Sequence, residues 1–240
     1  MKSKLIMMML LGVALLAVSA SAKEVPTATR VDPADMPVSL LTPPVELVGN
    51  LNPPAFLLSP WFTGQESYAV MFNPSEQVTC EVGFQLTTVH MYLHFVAADL
   101  PVTFEVYADL GSAALDATGC LIPGDENCTG ATYTVTIDVE GTYDIAIPIE
   151  CECAYIYGPT GDPNIYYLSM HFPTPFTAWV VTDGVQAACT SYNDAGAGWE
   201  DLEPFFTEFG NINMFGEVIC CSDPVATEGS SWGDLKSLFR

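Results

Sequence analysis

Thr87-Thr88-Val89-His90-Met91-Tyr92-Leu93-His94-Phe95 alternates without a break. Successive side chains on extended backbone point to opposite faces, so Val89, Met91, Leu93 and Phe95 share one face and His90, Tyr92 and His94 the other. A helix would scatter both sets around its circumference. The stretch therefore reads as a half-buried strand whose histidine face is exposed. The same period of two returns at Val102, Phe104 and Val106, at Tyr133, Val135, Ile137 and Val139, and at Tyr143, Ile145, Ile147 and Ile149. Further strands are expected over 67–72, 78–84, 165–172, 176–182 and 211–219. Glu140-Gly141-Thr142, between two alternating runs, reads as a tight hairpin. Short strands punctuated by Gly, Pro, Asn and Asp, with no helical period, predict an all-β fold: an antiparallel β-sandwich, jelly-roll-like.

This body is expected over residues 61–221. Before it, residues 23–60 carry eight prolines and little periodicity, and read as an extended arm, since proline removes backbone donors and favours open conformations. Residues 1–22 place Lys2 and Lys4 before an apolar run from Leu5 to Val18 and end in Ala20-Ser21-Ala22, the pattern of a secretory signal peptide. No later stretch is long and apolar enough to span a bilayer as a helix. An extracellular or outer-surface location follows as the expectation.

Eight cysteines in an exported chain are expected to form four disulfides, making the sandwich disulfide-stapled. They are Cys80, Cys120, Cys128, Cys151, Cys153, Cys189, Cys220 and Cys221, and their spacings do not match the Cys-x2-4-Cys pairs of zinc sites. Cys120 and Cys128 bracket a Pro-Gly-Asp turn and are the expected local pair. Cys220 and Cys221 point to opposite faces, so they should staple the last strand to two different places.

The chain has 29 Asp and Glu against six Lys and Arg, a formal charge of −23. With Glu24 set aside, 28 carboxylates occupy the span from Val31 to Leu235, which contains no Lys or Arg. Nucleic acid is excluded as a partner, because a phosphate backbone is bound by displacing counterions with Lys and Arg. Carboxylates with no cationic partner suit a hard divalent cation held by loop oxygens. Calcium is the expected cofactor if there is one, with Asn193, Asp194, Glu200 and Asp201 as its ligands, although no loop has the EF-hand pattern.

The residues after Cys221 form a polar linker and a short ending, 222–240. Trp232, Gly233, Leu235, Lys236, Leu238, Phe239 and Arg240 resemble a terminal tag found on many exported bacterial proteins. The stretch 189–221, with Ser191-Tyr192-Asn193-Asp194, Gly198-Trp199 and Cys220-Cys221, resembles a block recurring in such proteins. The resemblance implies export or anchoring machinery as a partner of Trp232, Leu235, Lys236, Phe239 and Arg240. It implies no activity.

Catalytic signatures are sparse. There is no Gly-x-Ser-x-Gly elbow, cysteines in disulfides offer no thiolate, and the only histidines are His90, His94 and His171. His90 and His94 lie ~13 Å apart along a strand and cannot readily share a metal ion. The expectation is a non-catalytic binding or structural module of the cell surface, with a carbohydrate or surface component as ligand. Trp199, Tyr192 and Trp179 are the flat apolar faces on which a sugar ring would rest. The alternative is a glycoside hydrolase working through two of its carboxylates.

Overall fold

Strand accounts for 62% of the chain and helix for 4%, so both layers of the core must be sheet. The computed structural model describes residues 27–31, 45–115, 119–185, 187–206 and 209–221. The signal peptide expected at 1–22, residues 32–44 of the arm, and the 222–240 ending with Trp232, Leu235, Lys236, Phe239 and Arg240 lie outside them.

In chain order the elements are β1 (Thr27–Val31), β2 (Val45–Gly49), β3 (Phe56–Phe72), the one-turn helix α1 (Pro74–Gln77), β4 (Gly83–Phe95) and β5 (Val102–Leu115). There follow β6 (Leu121–Thr129), β7 (Tyr133–Ile137), β8 (Gly141–Pro148), β9 (Ala154–Tyr155) and β10 (Tyr166–Thr182). β11 (Ser191–Asp194), β12 (Glu200–Asp201) and β13 (Met214–Cys220) close the series. All pairings are antiparallel. One layer runs β2-β13-β4-β8-β1 and the other β5-β10-β3-β11-β12, with β6 and β7 on the free side of β5. The layers join where the end of β10 pairs Trp179 and Val180 with His94 and Leu93 of β4.

Alternation fills the space between the layers. Val89, Met91, Leu93 and Phe95 are fully buried. They face Phe104, Val106, Ala108 and Leu110 of β5 and Leu168, Met170 and Phe172 of β10 in one continuous core. At its centre Phe176 packs 4.1 Å from Phe104 and 4.5 Å from Phe62, ring centre to ring centre. Each such side chain contributes about 1.5–3 kcal/mol by leaving water.

Several expectations are corrected. The outer face of β4 is not exposed: His90 is 9% and Tyr92 1% accessible, because Leu47, Val181 and Phe215 from the flanking strands close over it. Residues 78–82 are not strand; α1, capped by the Asn73 side chain, precedes them, and β4 begins at Gly83. The two strands expected at 165–172 and 176–182 are one, since Pro173 and Pro175 sit where the register with β3 shifts and their missing N–H groups cost the ladder little. Glu140-Gly141-Thr142 is no hairpin: β7 pairs with β5 and β8 with β4 and β1, so the turn carries the chain between layers. The arm does not extend to Pro60 either. It supplies β1 at the edge beside β8, then β2 and the start of β3, so the sheet already includes Thr27–Val31.

All eight cysteines pair, but Cys120 does not bond Cys128. The bridges are Cys80–Cys220, Cys120–Cys189, Cys128–Cys151 and Cys153–Cys221. The Pro-Gly-Asp stretch is part of β6, and eight residues of extended chain separate their ends by ~26 Å, far beyond a disulfide's reach. Cys220 and Cys221 do tie the last strand to two places.

The span from Val31 to Leu235 has no Lys or Arg and still buries carboxylates, and Asp183 shows how. It is 6% accessible. Oδ1 accepts the N–H groups of Val185 and Asn211 at 2.8 and 2.7 Å, and Oδ2 the side-chain amides of Asn50 and Asn52 at 3.0 and 2.8 Å. Four neutral donors take the place of a cation and tie the end of β10 to the segments after β2 and before β13. Asp183→Asn keeps the shape but turns an amide toward two donors, so it should cost about 2 kcal/mol in urea unfolding. An unchanged midpoint would show that the hub is not stabilising.

Candidate functional site

The outward face of the β5-β10-β3-β11 layer carries the densest chemistry among the described residues. Strand register sets it out in rows. Tyr107 of β5 lies opposite His171 of β10, His171 opposite Ser67 of β3, and Ser67 opposite Asp194 of β11. In the next row Asp109 faces Ser169, which faces Ala69, which faces Tyr192. Asp109 is thus diagonal to His171, within reach of a long side chain.

Three of these side chains form a chain of hydrogen bonds. Ser67 Oγ is 2.7 Å from His171 Nδ1, and His171 Nε2 contacts Asp109 Oδ2. Asp109 is only 2% accessible. An ionised carboxylate can only accept, so Nε2–H donates to Asp109, and in the neutral imidazole Nδ1 accepts from the Ser67 hydroxyl. The Tyr107 ring stacks on the imidazole at 4.5 Å, 8° from parallel, and Trp199 meets it edge-on at 6.3 Å. Burial, then the charges of Glu126 and Asp109, hold the Tyr107 phenol above its ordinary pKa.

Gln65, Glu66, Ser67, Tyr107 and His171 line an open hollow of about 250 Å³. Glu66 accepts from Thr63 N, Thr63 Oγ1, Tyr68 OH and Asn193 Nδ2. Burial first, and Glu66 second, push the Tyr68 phenol far above its ordinary pKa, so it stays protonated and donates. Gln65 has φ of 59°, a left-handed backbone unusual for a residue other than glycine. A second hollow of about 310 Å³, bordered by Ser112, Asn127, Asn164 and Tyr166, has the larger volume but no acid or histidine. The chemistry favours the first.

The sequence-derived candidates divide. Trp199 stands half-buried beside His171. Tyr192 is 1% accessible, packed edge-on against Tyr167 at 5.6 Å, so it is a floor beneath the face and not a platform for a sugar ring. Trp179 lies away from both, at the junction of the layers, 5.5 Å from the ring of His94. Of the four residues read as calcium ligands, Asn193, Asp194 and Asp201 are each engaged separately. Asn193 donates to Glu66 and to Ser67 O, and Asp194 accepts from Gly196 N and Gly198 N. Asp201 accepts from Cys189 N and Glu203 N, while Glu200 is exposed opposite Asn193. Asp194, Glu200 and Asp201 do not converge into a ligand cluster. Among the described residues, the two groups with metal-ligating atoms close together each contain a bridged cysteine pair. His90, His94 and His171 each have separate partners.

Sequence reasoning missed Ser67, Tyr107 and Asp109. Extending the β5 alternation by two steps places Tyr107 and Asp109 outward, but nothing in the sequence says that β3, β10 and β5 are neighbours.

Comparison with curated proteins found no match. Among solved structures, the chain is similar to the cysteine protease and lectin-like domains of Cwp84, a surface layer associated protein of Clostridium difficile. The identity is 13% and the TM-score 0.39, over 66% of this chain and 33% of that one. The chain thus spans a third of that protein's length, and a likeness this loose carries no inference about a shared site. Residues 47–222, which take in all four bridges and every strand except β1 and the first residues of β2, match one family model, and the chain belongs to that family, described as Domain of unknown function (DUF7451).

Proposed function

We propose that the protein is an exported or cell-surface binding module that holds a neutral, hydroxyl-rich ligand, a carbohydrate, at the hollow lined by Tyr107 and His171, with Trp199 next to His171. One observation carries this reading: an aromatic wall adjoins hydroxyl, amide and carboxylate groups, with no Lys or Arg between Val31 and Leu235. Sugar rings pack on aromatic side chains through their C–H faces, and their hydroxyls bond to polar groups of this kind. A net charge of −23 disfavours anionic ligands. The signal-like start and the tag-like ending support export.

Titration of the disulfide-intact protein with neutral oligosaccharides, followed by calorimetry and tryptophan fluorescence, tests the reading. Binding is expected for a neutral glycan and not for its sulfated form. Trp199→Ala should weaken it at least tenfold, about 1.4 kcal/mol. A neutral panel that leaves fluorescence and heat unchanged would remove the reading, as would tight binding unaffected by Trp199→Ala.

A further inference from the structure

We propose that Ser67 is a nucleophile, and that Ser67, His171 and Asp109 together transfer the acyl group of an uncharged carboxylic ester. This goes beyond the binding reading and does not rest on it, although both use the same hollow.

Nucleophilic serine chemistry needs a hydroxyl bonded to a base, a third group that orients the base, and space for a substrate. All three requirements are met by contacts already described. The hydroxyl is 2.7 Å from Nδ1. The opposite ring nitrogen is held by a carboxylate shielded from solvent, which fixes the tautomer and favours the imidazolium once it forms. Tyr107 stacks on the ring and prevents it from turning. Ser67 and His171 both border the open hollow, so an ester can reach the hydroxyl. The roles of the two nitrogens are exchanged relative to the chymotrypsin arrangement, with Nδ1 facing the serine. Geometry defines such a constellation, and chain order does not. The left-handed Gln65 at the rim of the hollow is a second pointer, since residues held in sparsely populated backbone regions concentrate at working sites.

The reaction balances with water as the only co-reactant. Ser67 Oγ attacks the ester carbonyl carbon while its proton passes to His171 Nδ1, and Asp109 stabilises the resulting imidazolium. The bond from carbonyl carbon to alkoxy oxygen then breaks, and the departing alcohol takes the proton from Nδ1. Water attacks the acyl-serine by the same route, releasing the carboxylic acid and restoring Ser67. β3 is paired on both sides at Ser67, with His171 and Asp194, so its backbone N–H groups serve the ladders. Gln65 and Tyr107, which line the hollow, carry the side-chain donors nearest to hand. Loss of one oxyanion donor typically slows such enzymes about 10²–10³-fold, so turnover is expected to be slow and the acylation step is the better readout.

The test is to treat the folded, disulfide-intact full chain with an alkyl fluorophosphonate, which phosphonylates activated serines with loss of fluoride, and to locate the adduct by intact mass and peptide mapping. One adduct on Ser67 is expected, absent after heat denaturation and absent in Ser67→Ala. Asp109→Asn should slow labelling at least 100-fold while the near-ultraviolet circular dichroism stays native. Release of p-nitrophenol from its acetate ester should exceed that given by Ser67→Ala. The native chain decides the matter even where a variant fails to fold: no adduct, or an adduct elsewhere, overturns the inference. Binding of a neutral oligosaccharide to the native chain is measured separately, so a native chain that binds it and takes no label defeats this inference alone and leaves the binding reading intact.

Discussion

A chain in which Cys80, Cys153, Cys220 and Cys221 are all alanine is expected to be unfolded at 37 °C. These two bridges close loops with sequence separations of 140 and 68 residues and fasten the segments before β4 and before β9, both beside the start of β4, to the end of β13. Removal of a native disulfide typically costs about 2–5 kcal/mol, so losing both takes away an amount comparable with the whole stability of a domain, about 5–15 kcal/mol. By contrast, Cys128–Cys151 spans a separation of 23. On the chain-entropy account its removal should cost about 1.6 kcal/mol less than removal of Cys80–Cys220. Urea unfolding of the two single-bridge variants beside the parent gives the ranking. Equal losses would mean that native packing around each bridge, and not loop length, sets its worth. A fully folded quadruple variant would mean that the core suffices without the staples.

The sandwich was legible in the sequence because half-buried strands repeat every two residues, and Val89, Met91, Leu93 and Phe95 all proved to be core. What alternation cannot give is partnership. Residues 133–149 contain two well-marked strands, yet the chain between them crosses layers where a hairpin was expected, because each strand buries its face against a distant neighbour. The same gap hid the candidate site. Ser67, Asp109 and His171 come from three strands that are far apart in sequence and adjacent only in the folded sheet. Trp199 stood out in the sequence because a tryptophan next to glycines on a loop is conspicuous by itself. Tyr192 was misplaced because tyrosine serves equally well as floor or platform, and burial by Tyr167 and Ala69 decides between them. The cysteines show the reverse case. Cys220 and Cys221 were readable from strand geometry, whereas Cys120 and Cys128 were misread because a Pro-Gly-Asp stretch that looks like a turn stays within β6, taken up by register shifts in its ladder to β5.

Raising the pH should destabilise this protein well before its tyrosines ionise, and His90 is the reason. Its Nδ1 lies 2.9 Å from Asp144 Oδ2, its Nε2 is 3.6 Å from Glu217 Oε1, an ion-pair separation, and its ring stacks on Phe215 at 4.5 Å. Burial by itself would depress the imidazole pKa, but the hydrogen bonds and charges of Asp144 and Glu217 outweigh it, and the pKa is raised from 6.5 to about 9. A group whose pKa is raised on folding adds stability that is fully present below its unfolded value, near 6.5, and is lost as pH climbs through about 9. At ~1.4 kcal/mol per unit, the loss across that window is about 3 kcal/mol. Glu217 works in the opposite sense. His90 holds its carboxyl below the usual value of 4.5, so its contribution is present above 4.5 and disappears as pH falls through the depressed value. The two limits place maximal stability at mildly acidic to neutral pH. Burial raises the pKa of Tyr68, Tyr92, Tyr107 and Tyr166, which adds a separate destabilisation only at still higher pH. The difference between the parent and His90→Gln isolates the imidazole from that effect. It should shrink by about 3 kcal/mol between pH ~6 and ~10 when unfolding is measured at fixed ionic strength, since salt screens the remaining carboxylate repulsion. A constant difference would show that His90 is neutral in the fold. Between Val31 and Leu235 the sequence contains no Lys or Arg, so an imidazolium is the only side-chain cation that stretch can set between two strands' carboxylates, and its proton is the part of the fold most exposed to alkali.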